Sequence, residues 1–109
     1  IVLNICIKNT DDHLRNHGFL LSPSGWILSP IYDVNPFPEG TGLTLNISLD
    51  DNSLDVDLAL SVIQYFRLQQ AEAEEIIEQV RKAANGWRTI ADEIGISRRE
   101  QESMEVAFE

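Results

Sequence analysis

The stretch NTDDHLRNHGFLLSPSGWILSPIYDVNP, residues 9–36, contains the polar side chains and the turn on which the fold of this chain depends. Asp11 and Asn16 are five positions apart, and a second acid, Asp33, follows seventeen residues after Asn16. Between them, two short apolar runs flank a Ser-Pro-Ser-Gly sequence, which predicts a tight β-hairpin with Gly25 available for positive φ. Because a hairpin returns the chain to its start, Asp33 is expected to lie near Asn16.

These side chains suit phosphoryl transfer, a reaction in which the protein mainly positions two reactants and neutralises charge. Asp and Asn supply hard oxygen ligands for Mg²⁺. In the protein-kinase pattern, a catalytic Asp is followed five residues later by an Asn that holds a metal, and a second Asp comes after a short hairpin. Asp11, Asn16 and Asp33 match that order and spacing. Taken alone, the Asp11-Asp12 dipeptide is equally typical of a solvated turn that caps a helix.

With both motifs in register, residues 9–20 and 26–36 closely resemble the carboxy-terminal half of the HipA-type toxin kinases. The resemblance implies a serine/threonine kinase of a bacterial toxin–antitoxin module, with an ATP-binding amino-terminal half and a mostly helical carboxy-terminal half. Position by position, it implies that Asp11 is the catalytic base, that Asn16 is a Mg²⁺ ligand, and that Asp33 bridges Mg²⁺ to the ATP phosphates. The implied cofactors are ATP and Mg²⁺, bound through the last two residues.

The resemblance also implies partners. They are a protein substrate, which for this family is associated with aminoacyl-tRNA synthetases, and a small DNA-binding antitoxin. No residue in the sequence identifies the substrate. Asp12, His13 and Arg15 match the motif without an equally clear role. The histidine is expected to fix loop geometry by hydrogen bonding, and the arginine either contacts a phosphate or the substrate or pairs with Asp12 or another acid.

The chain has 109 residues, enough for one compact domain, whereas a two-lobed kinase needs more than about twice that length. No Gly-rich strand-turn-strand precedes the Asp11 motif, and neither Lys8 nor Lys82 lies in the sequence context that places an ammonium on ATP phosphates. The chain also begins with Ile1, inside an apolar run. We therefore expect a fragment that lacks the ATP-binding lobe and is inactive alone.

Composition indicates the surroundings in which the protein works. The apolar opening, residues 1–7, is too short to span a bilayer and lacks the features of a secretion signal. The single cysteine, Cys6, excludes an internal disulfide, fits a reducing cytoplasm and is expected to fill the core as a buried thiol. With 18 acidic and 8 basic residues, the net charge of −10 repels nucleic acid. A cytoplasmic protein without membrane or direct nucleic-acid contact is expected.

Three segments are expected in a fold that is mainly α with a small β-hairpin, like the helical lobe of a kinase. Residues 1–34 hold the catalytic loop, the hairpin and the metal-binding Asp, residues 35–52 form a loop and an extended segment, and residues 53–109 form a helical bundle. The helix breakers in 35–42 predict an irregular substrate-facing loop. Alternating apolar and polar residues over 43–49 predict a strand with one buried face, although an irregular extended segment is equally possible.

Two helices are expected after the extended segment. The first is amphipathic and runs from Ser53 or Asp55 to near Leu68. The second begins near Gln70. Its apolar stripe continues in phase across a glycine to about Ile94, which favours one long helix over two.

The end of the chain permits a competing interpretation. Gly95 and the capping-box spacing from Ser97 to Glu100 predict a turn and a last helix, so residues 87–109 have the order of a helix-turn-helix DNA-binding element. This stretch has a net charge of −3, from three arginines and six acids, whereas phosphate contacts need a basic face. A third possibility is a catalytically inactive relative that serves as an interaction module for an antitoxin.

Overall fold

The computed structural model describes residues 1–108, which contain five α-helices and one antiparallel hairpin joined by turns and irregular segments. The helices are α1 (Val2–Cys6), α2 (Val56–Ser61), α3 (Gln70–Asn85), α4 (Trp87–Glu93) and α5 (Arg98–Met104). The strands are β1 (Phe19–Ser22) and β2 (Gly25–Leu28), and 3₁₀ turns cover Leu14–Asn16, Ile63–Phe66 and Glu105–Phe108. The predicted fold class, mainly α with a small β-hairpin, is confirmed. The last residue of the predicted bundle, Glu109, lies outside the described residues.

The hairpin forms where the sequence predicts it. Gly25 adopts a φ of +114°, and the Ser22 hydroxyl closes the turn by donating to the Gly25 carbonyl oxygen at 2.8 Å. The backbone N–H of Ser29 donates to the Gly18 carbonyl oxygen at 2.8 Å, which extends the pairing beyond the strands. The hairpin projects large exposed apolar side chains, among them Trp26 at 71% exposure. Its two strands return the chain to the loop that follows α1.

The core lies where α1 meets α2 and the irregular segment before it. Ile5, Leu43 and Ala59 are buried together, and partly buried neighbours complete the cluster, namely Val2, Ile47, Leu54 and Val56. Helix α3 contacts both α1 and α2, and its buried positions include Ala73 and Ile77. Apolar burial is the main force that holds these elements together. It fixes α1, the helix from which the chain enters the Asp11 motif.

Residues 43–49 do not form the predicted strand. Leu43 N–H donates to the Asn52 carbonyl oxygen at 2.8 Å, and the Ile47 N–H donates to the Asp51 carbonyl oxygen at 2.8 Å. These bonds close local turns and satisfy backbone groups that a neighbouring strand would otherwise have to satisfy. In the described residues, the hairpin is the only sheet. The apolar alternation reflects packing of Leu43 and Ile47 against the core, so the irregular segment is the correct alternative.

The helix predicted to reach Leu68 is shorter. Asp55 caps α2 as predicted, because its side chain accepts a hydrogen bond at 2.8 Å from the backbone N–H two residues further on. Helix α2 nevertheless ends at Ser61, and the 3₁₀ turn Ile63–Phe66 follows. Two consecutive β-branched residues, Val62 and Ile63, stand at this junction. Such residues crowd the preceding helical turn, which favours an end to the helix here.

The long helix predicted from Gln70 to about Ile94 is two helices. Helix α3 ends at Asn85 and α4 begins at Trp87, with Gly86 between them at φ −76° and ψ −2°. Because this backbone conformation stays close to helical, the apolar stripe keeps its phase across the break. The prediction of one continuous helix is therefore wrong, although its start and its apolar periodicity are correct.

Gly86→Ala should raise the free energy of unfolding by about 0.5–1 kcal/mol. A Cβ here would lie 3.4 Å from the nearest atom, the Ala83 carbonyl oxygen, and the negative φ suits alanine. Urea denaturation measures the difference. Gly95→Ala is the matched control, because Gly95 has a φ of +80°. Alanine in that left-handed conformation should lower stability by about 1–2 kcal/mol. Equal shifts in the two variants would show that backbone conformation does not distinguish these glycines.

The carboxy-terminal end is organised by caps and aromatic packing. Gly95 ends the turn after α4, and Ser97 caps α5 by accepting from the Glu100 N–H at 3.3 Å. Hydrogen bonds from Ser97 lower the pKa of the Glu100 carboxyl. Trp87 stacks on Phe108 with ring centroids 4.4 Å apart. No helix within residues 1–108 has both the length and the apolar character needed to cross a membrane.

Candidate active site

The candidate active site begins where the chain turns sharply after α1. Lys8 has a left-handed φ of 47°, and the Asn9 N–H donates to the Asn4 carbonyl oxygen at 2.9 Å. The side chains of Asn9 and Thr10 are buried, whereas the next residue, Asp11, is exposed. The turn therefore presents the Asp11 carboxylate to solvent from a packed base.

Asn16 and Asp33 are in direct contact. Asn16 is buried at the end of the 3₁₀ turn, and its Oδ1 accepts from the His13 N–H at 3.0 Å. Its Nδ2 donates to Asp33 Oδ2 at 2.9 Å. The hairpin between the two residues brings these side chains together across seventeen positions of sequence.

The Asp33 carboxylate is held on both sides. Its backbone has a left-handed φ of 55°, a conformation that is uncommon for residues other than glycine and is often found at functional sites. Asn35 Nδ2 donates to Asp33 Oδ1 at 2.8 Å. One residue before Asp33, the Tyr32 hydroxyl donates to the Arg15 carbonyl oxygen at 2.8 Å. These bonds orient the carboxylate and fix the segment that carries it beside the 3₁₀ turn.

Asp11 and Asp33 line the same open cleft, which has a volume of about 620 Å³. The loop 35–42, predicted to be irregular, forms much of the wall of this cleft. Thr44, just beyond this loop, donates from its N–H and its hydroxyl to the Thr10 carbonyl oxygen, at 3.0 and 2.7 Å. The Asp11 and Asp33 carboxylates and the loop 35–42 therefore border one open space.

Gly40 packs so closely against Thr10 that Gly40→Ala should lower stability by about 1–3 kcal/mol. The added Cβ would lie 2.5 Å from Thr10 Cγ2 and 2.6 Å from Thr10 Oγ1, and the buried threonine has little room to move. Urea denaturation measures the loss. Thr10→Ala removes both clashing atoms, so the double variant should be less destabilised than the sum of the single variants. Additive losses would rule out this contact as the cause.

The remaining polar residues of the motif have structural partners. Asp12 Oδ1 lies 3.1 Å from His17 Nε2, so among the described residues Asp12 pairs with this histidine and not with Arg15. Arg15 is exposed. The His13 ring does not make the expected hydrogen bond through Nδ1, which is buried without a partner among the described residues. The loop is held instead by the His13 backbone N–H, which donates to Asn16 Oδ1.

Cys6 is free and half-buried rather than fully buried, and burial raises the pKa of its thiol. Its side chain borders a second cavity, which Arg81 also lines. A raised pKa disfavours the thiolate, the reactive form of cysteine. The expectation that Cys6 fills space is consistent with this environment.

The side chains of Asp33 and Asn16 carry oxygens of the type that binds magnesium. Asp33, which lines the cleft, offers two carboxylate oxygens, and Asn16 offers an amide oxygen; both are hard ligands of the kind that Mg²⁺ prefers. Asn16 is not part of the cleft lining, and its Oδ1 accepts from the His13 N–H while its Nδ2 faces Asp33. Mg²⁺ in phosphoryl-transfer sites is usually held by one or two such side chains together with substrate phosphates and water. Asp33 can therefore hold Mg²⁺ from the cleft as it stands, whereas Asn16 can join it only after its amide turns the oxygen from the His13 N–H toward Asp33.

Three further asparagines, Asn4, Asn9 and Asn35, contact the site, and the sequence interpretation gave none of them a role. One signal was available for Asn4, which is a polar residue inside an otherwise apolar helix. A buried amide there must find hydrogen-bond partners. The other two stand in loops, where asparagine is common for local reasons.

The helix pair at the end of the chain has the order of a helix-turn-helix element but not its charge. Arg88 pairs with Glu105 at 2.6 Å, and Arg98 pairs with Glu102 at 3.4 Å. Acidic partners therefore neutralise two of the three arginines that a recognition surface would need to face phosphates.

Comparison with known families agrees with the site. The family model of the HipA-like C-terminal domain matches residues 1–87, which cover α1, the Asp11 motif, the hairpin, α2 and α3. The chain therefore belongs to the HipA-like C-terminal domain family. No curated protein matches the chain, and no solved structure matches it.

Proposed function

We propose that this chain is the catalytic-loop domain of a HipA-type serine/threonine protein kinase that uses Mg²⁺ and ATP. The observation that carries the proposal is the 2.9 Å hydrogen bond between Asn16 and Asp33, beside the cleft that Asp11 also lines. An exposed acid, an amide and an oriented carboxylate are the side chains that phosphoryl transfer requires. Membership of the HipA-like C-terminal domain family supports the same function.

Asp11 is the proposed general base. Its exposed carboxylate lies in the cleft, where it can accept the proton of a serine or threonine hydroxyl. The hydroxyl oxygen attacks the γ-phosphorus of ATP, the bond from that phosphorus to the ADP oxygen breaks, and the proton passes to Asp11. The packed turn beneath Asp11 restricts the position of its backbone, which favours reaction because correct placement lowers the entropic cost.

Asn16 and Asp33 are the proposed Mg²⁺ ligands. A metal ion held there would supply positive charge to neutralise the ATP phosphates. The contribution of the chain is to orient the Asp33 carboxylate through Asn16 on one oxygen and Asn35 on the other. An oriented site needs little reorganisation during the reaction.

The proposal extends to a full-length protein. We propose that a region outside residues 1–109 supplies the phosphate-binding loop and the lysine that hold ATP. The proposed partners are a protein substrate, with aminoacyl-tRNA synthetases as the family candidate, and a small DNA-binding antitoxin. Within this proposal the protein is the toxin of a toxin–antitoxin module.

The test uses the purified full-length protein with γ-³²P-ATP and a bacterial cell extract. We expect label on phosphoserine or phosphothreonine, with transfer that requires Mg²⁺ and stops when EDTA is added. Residues 1–109 alone should transfer no label. Absence of transfer by the full-length protein would contradict the proposal. Salt-sensitive duplex binding that Arg98 and Arg99 substitutions abolish would favour the DNA-binding alternative.

A further inference from the structure

Two buried asparagines connect the loop that carries the proposed base to the segment that carries the proposed metal ligand. Asn4 and Asn9 are only 5% and 2% exposed. Asn4 Nδ2 donates to Asp12 Oδ2 at 2.6 Å, and Asn9 Nδ2 donates to Asn4 Oδ1 at 2.9 Å. Asn9 Oδ1 in turn accepts from the Asn35 backbone N–H at 3.3 Å. We call this row of four residues, from Asp12 through Asn4 and Asn9 to Asn35, the asparagine bridge.

The chemistry of its two ends fixes the direction of every hydrogen bond in the bridge. An ionised Asp12 carboxylate only accepts, so Asn4 must turn its NH₂ group toward it. Asn4 then offers its oxygen to Asn9, which must donate. The oxygen of Asn9 is left to accept from the Asn35 N–H, a group that only donates. Rotation of either amide by 180° would place like groups opposite each other, so both side chains are locked.

The bridge connects the segment of Asp11 and the segment of Asp33 to one fixed residue, Asn4. Asn4 belongs to α1, which is held in the core. At one end of the bridge, Asp12 directly follows Asp11. At the other end, Asn35 lies two residues after Asp33 and also bonds to its carboxylate. A shift of either end of the bridge would change the separation of the two acids across the cleft.

We propose that Asn4 and Asn9 are positioning residues that set the separation of Asp11 and Asp33 for phosphoryl transfer. This inference rests on the proposed kinase function. Asn9 borders the cleft that both acids line, and Asn4 lies behind it, outside the cleft lining. The contribution of the two asparagines passes through the backbone of the two segments that they connect.

Asn9→Asp breaks the bridge without changing its size. A carboxylate at position 9 can no longer donate to Asn4, and it needs a donor from Asn4 instead. Asn4 has only one NH₂ group in line with the bridge, and Asp12 already requires it. In this variant, the carboxylates at positions 9 and 12 therefore compete for the single NH₂ group of Asn4.

Adding Asp12→Asn to Asn9→Asp should restore the bridge, with the two side-chain hydrogen bonds of Asn4 reversed in direction. With a carboxylate at position 9, Asn4 can turn its NH₂ group toward it and offer its oxygen to the NH₂ group of the new amide at position 12. The oxygen of that new amide can still accept from His17. Asp12→Asn alone is the matched control, because the amide can present its oxygen to Asn4 and leave the original direction intact.

The experiment compares four full-length proteins: wild type, N9D, D12N and N9D/D12N. The readouts are the maximal rate of ³²P transfer from Mg·ATP into cell-extract proteins, corrected for the folded fraction by circular dichroism, and the midpoint of thermal unfolding. We expect N9D to lower the maximal rate about 10- to 100-fold, because small misplacements of reacting groups have effects of this size. D12N should stay within about tenfold of wild type, and the double variant should be at least about tenfold faster than N9D.

Two outcomes would overturn the positioning role. They are an N9D protein as fast as wild type, and a double variant no faster than N9D. Failure of the proposed function gives a different result, namely a wild type that transfers no phosphate. The positioning role then fails too, but N9D should still unfold at a lower temperature, and D12N should reverse that loss.

Discussion

Asp11→Asn in the full-length protein should lower the rate of phosphotransfer by about 10²- to 10⁴-fold, the range expected when a general base is removed. The amide has the shape of the carboxylate but cannot accept the proton of the acceptor hydroxyl. Because Asp11 is exposed, the change should leave the fold intact. Mg·ATP affinity should also stay close to that of wild type, since the proposed base contacts the acceptor and not the nucleotide.

Single-turnover transfer from γ-³²P-ATP measures the rate of phosphotransfer, and isothermal titration with Mg·ATP measures the nucleotide affinity separately. Asp50→Asn is the control, because it removes one negative charge from an exposed side chain outside the residues that line the cleft. It should transfer phosphate at nearly the wild-type rate. Full activity in Asp11→Asn would refute the assignment of the base, and a loss of Mg·ATP affinity would place Asp11 on the nucleotide instead.

Asp33→Asn should reduce both Mg·ATP affinity and phosphotransfer, with a fall in kcat/KM of at least about 100-fold. The substitution is suited to this position because asparagine tolerates the left-handed φ of 55° better than other side chains. Its oxygen can still accept from Asn16. The variant therefore removes the charge of a proposed Mg²⁺ ligand while it keeps the backbone and one hydrogen bond.

Magnesium titration of ATP binding measures this effect, and the apparent Mg²⁺ affinity should fall. Glu39→Gln is the matched control, since Glu39 is an exposed acid that lines the same cleft and has no assigned ligand role. A control that loses as much Mg²⁺ affinity as Asp33→Asn would indicate a general effect of cleft charge. Specific loss in Asp33→Asn would support coordination by this carboxylate.

Features that depend on local chemistry could be predicted from the sequence. The hairpin forms around Gly25 because its turn needs a residue that tolerates positive φ. Ser97 and Asp55 cap helices because their side chains bond to nearby N–H groups. The contact of Asn16 with Asp33 follows from the hairpin between them. In each case the deciding interactions join residues close in sequence or separated by a single tight turn.

Features that depend on partners far along the chain could not be predicted. The pattern of residues 43–49 is the same for a strand and for an irregular segment, and only the presence of a neighbouring strand would separate them. The break at Gly86 depends on a small difference in backbone free energy that periodicity does not report. The asparagine bridge joins residues up to 26 positions apart, so no local spacing in the sequence indicates it. Burial of its amides is a tertiary property.

The two indole rings of the molecule lie in contrasting surroundings, because Trp87 stacks on Phe108 and Trp26 does not share that packing. Trp87 is half-buried, with the Arg88 guanidinium 4.7 Å from its ring centroid, whereas Trp26 stands in water near the tip of the hairpin. A collisional quencher such as iodide should reach the second ring more readily than the first. Intrinsic fluorescence can therefore follow the opening of the terminal helices separately from events at the hairpin, without an attached dye.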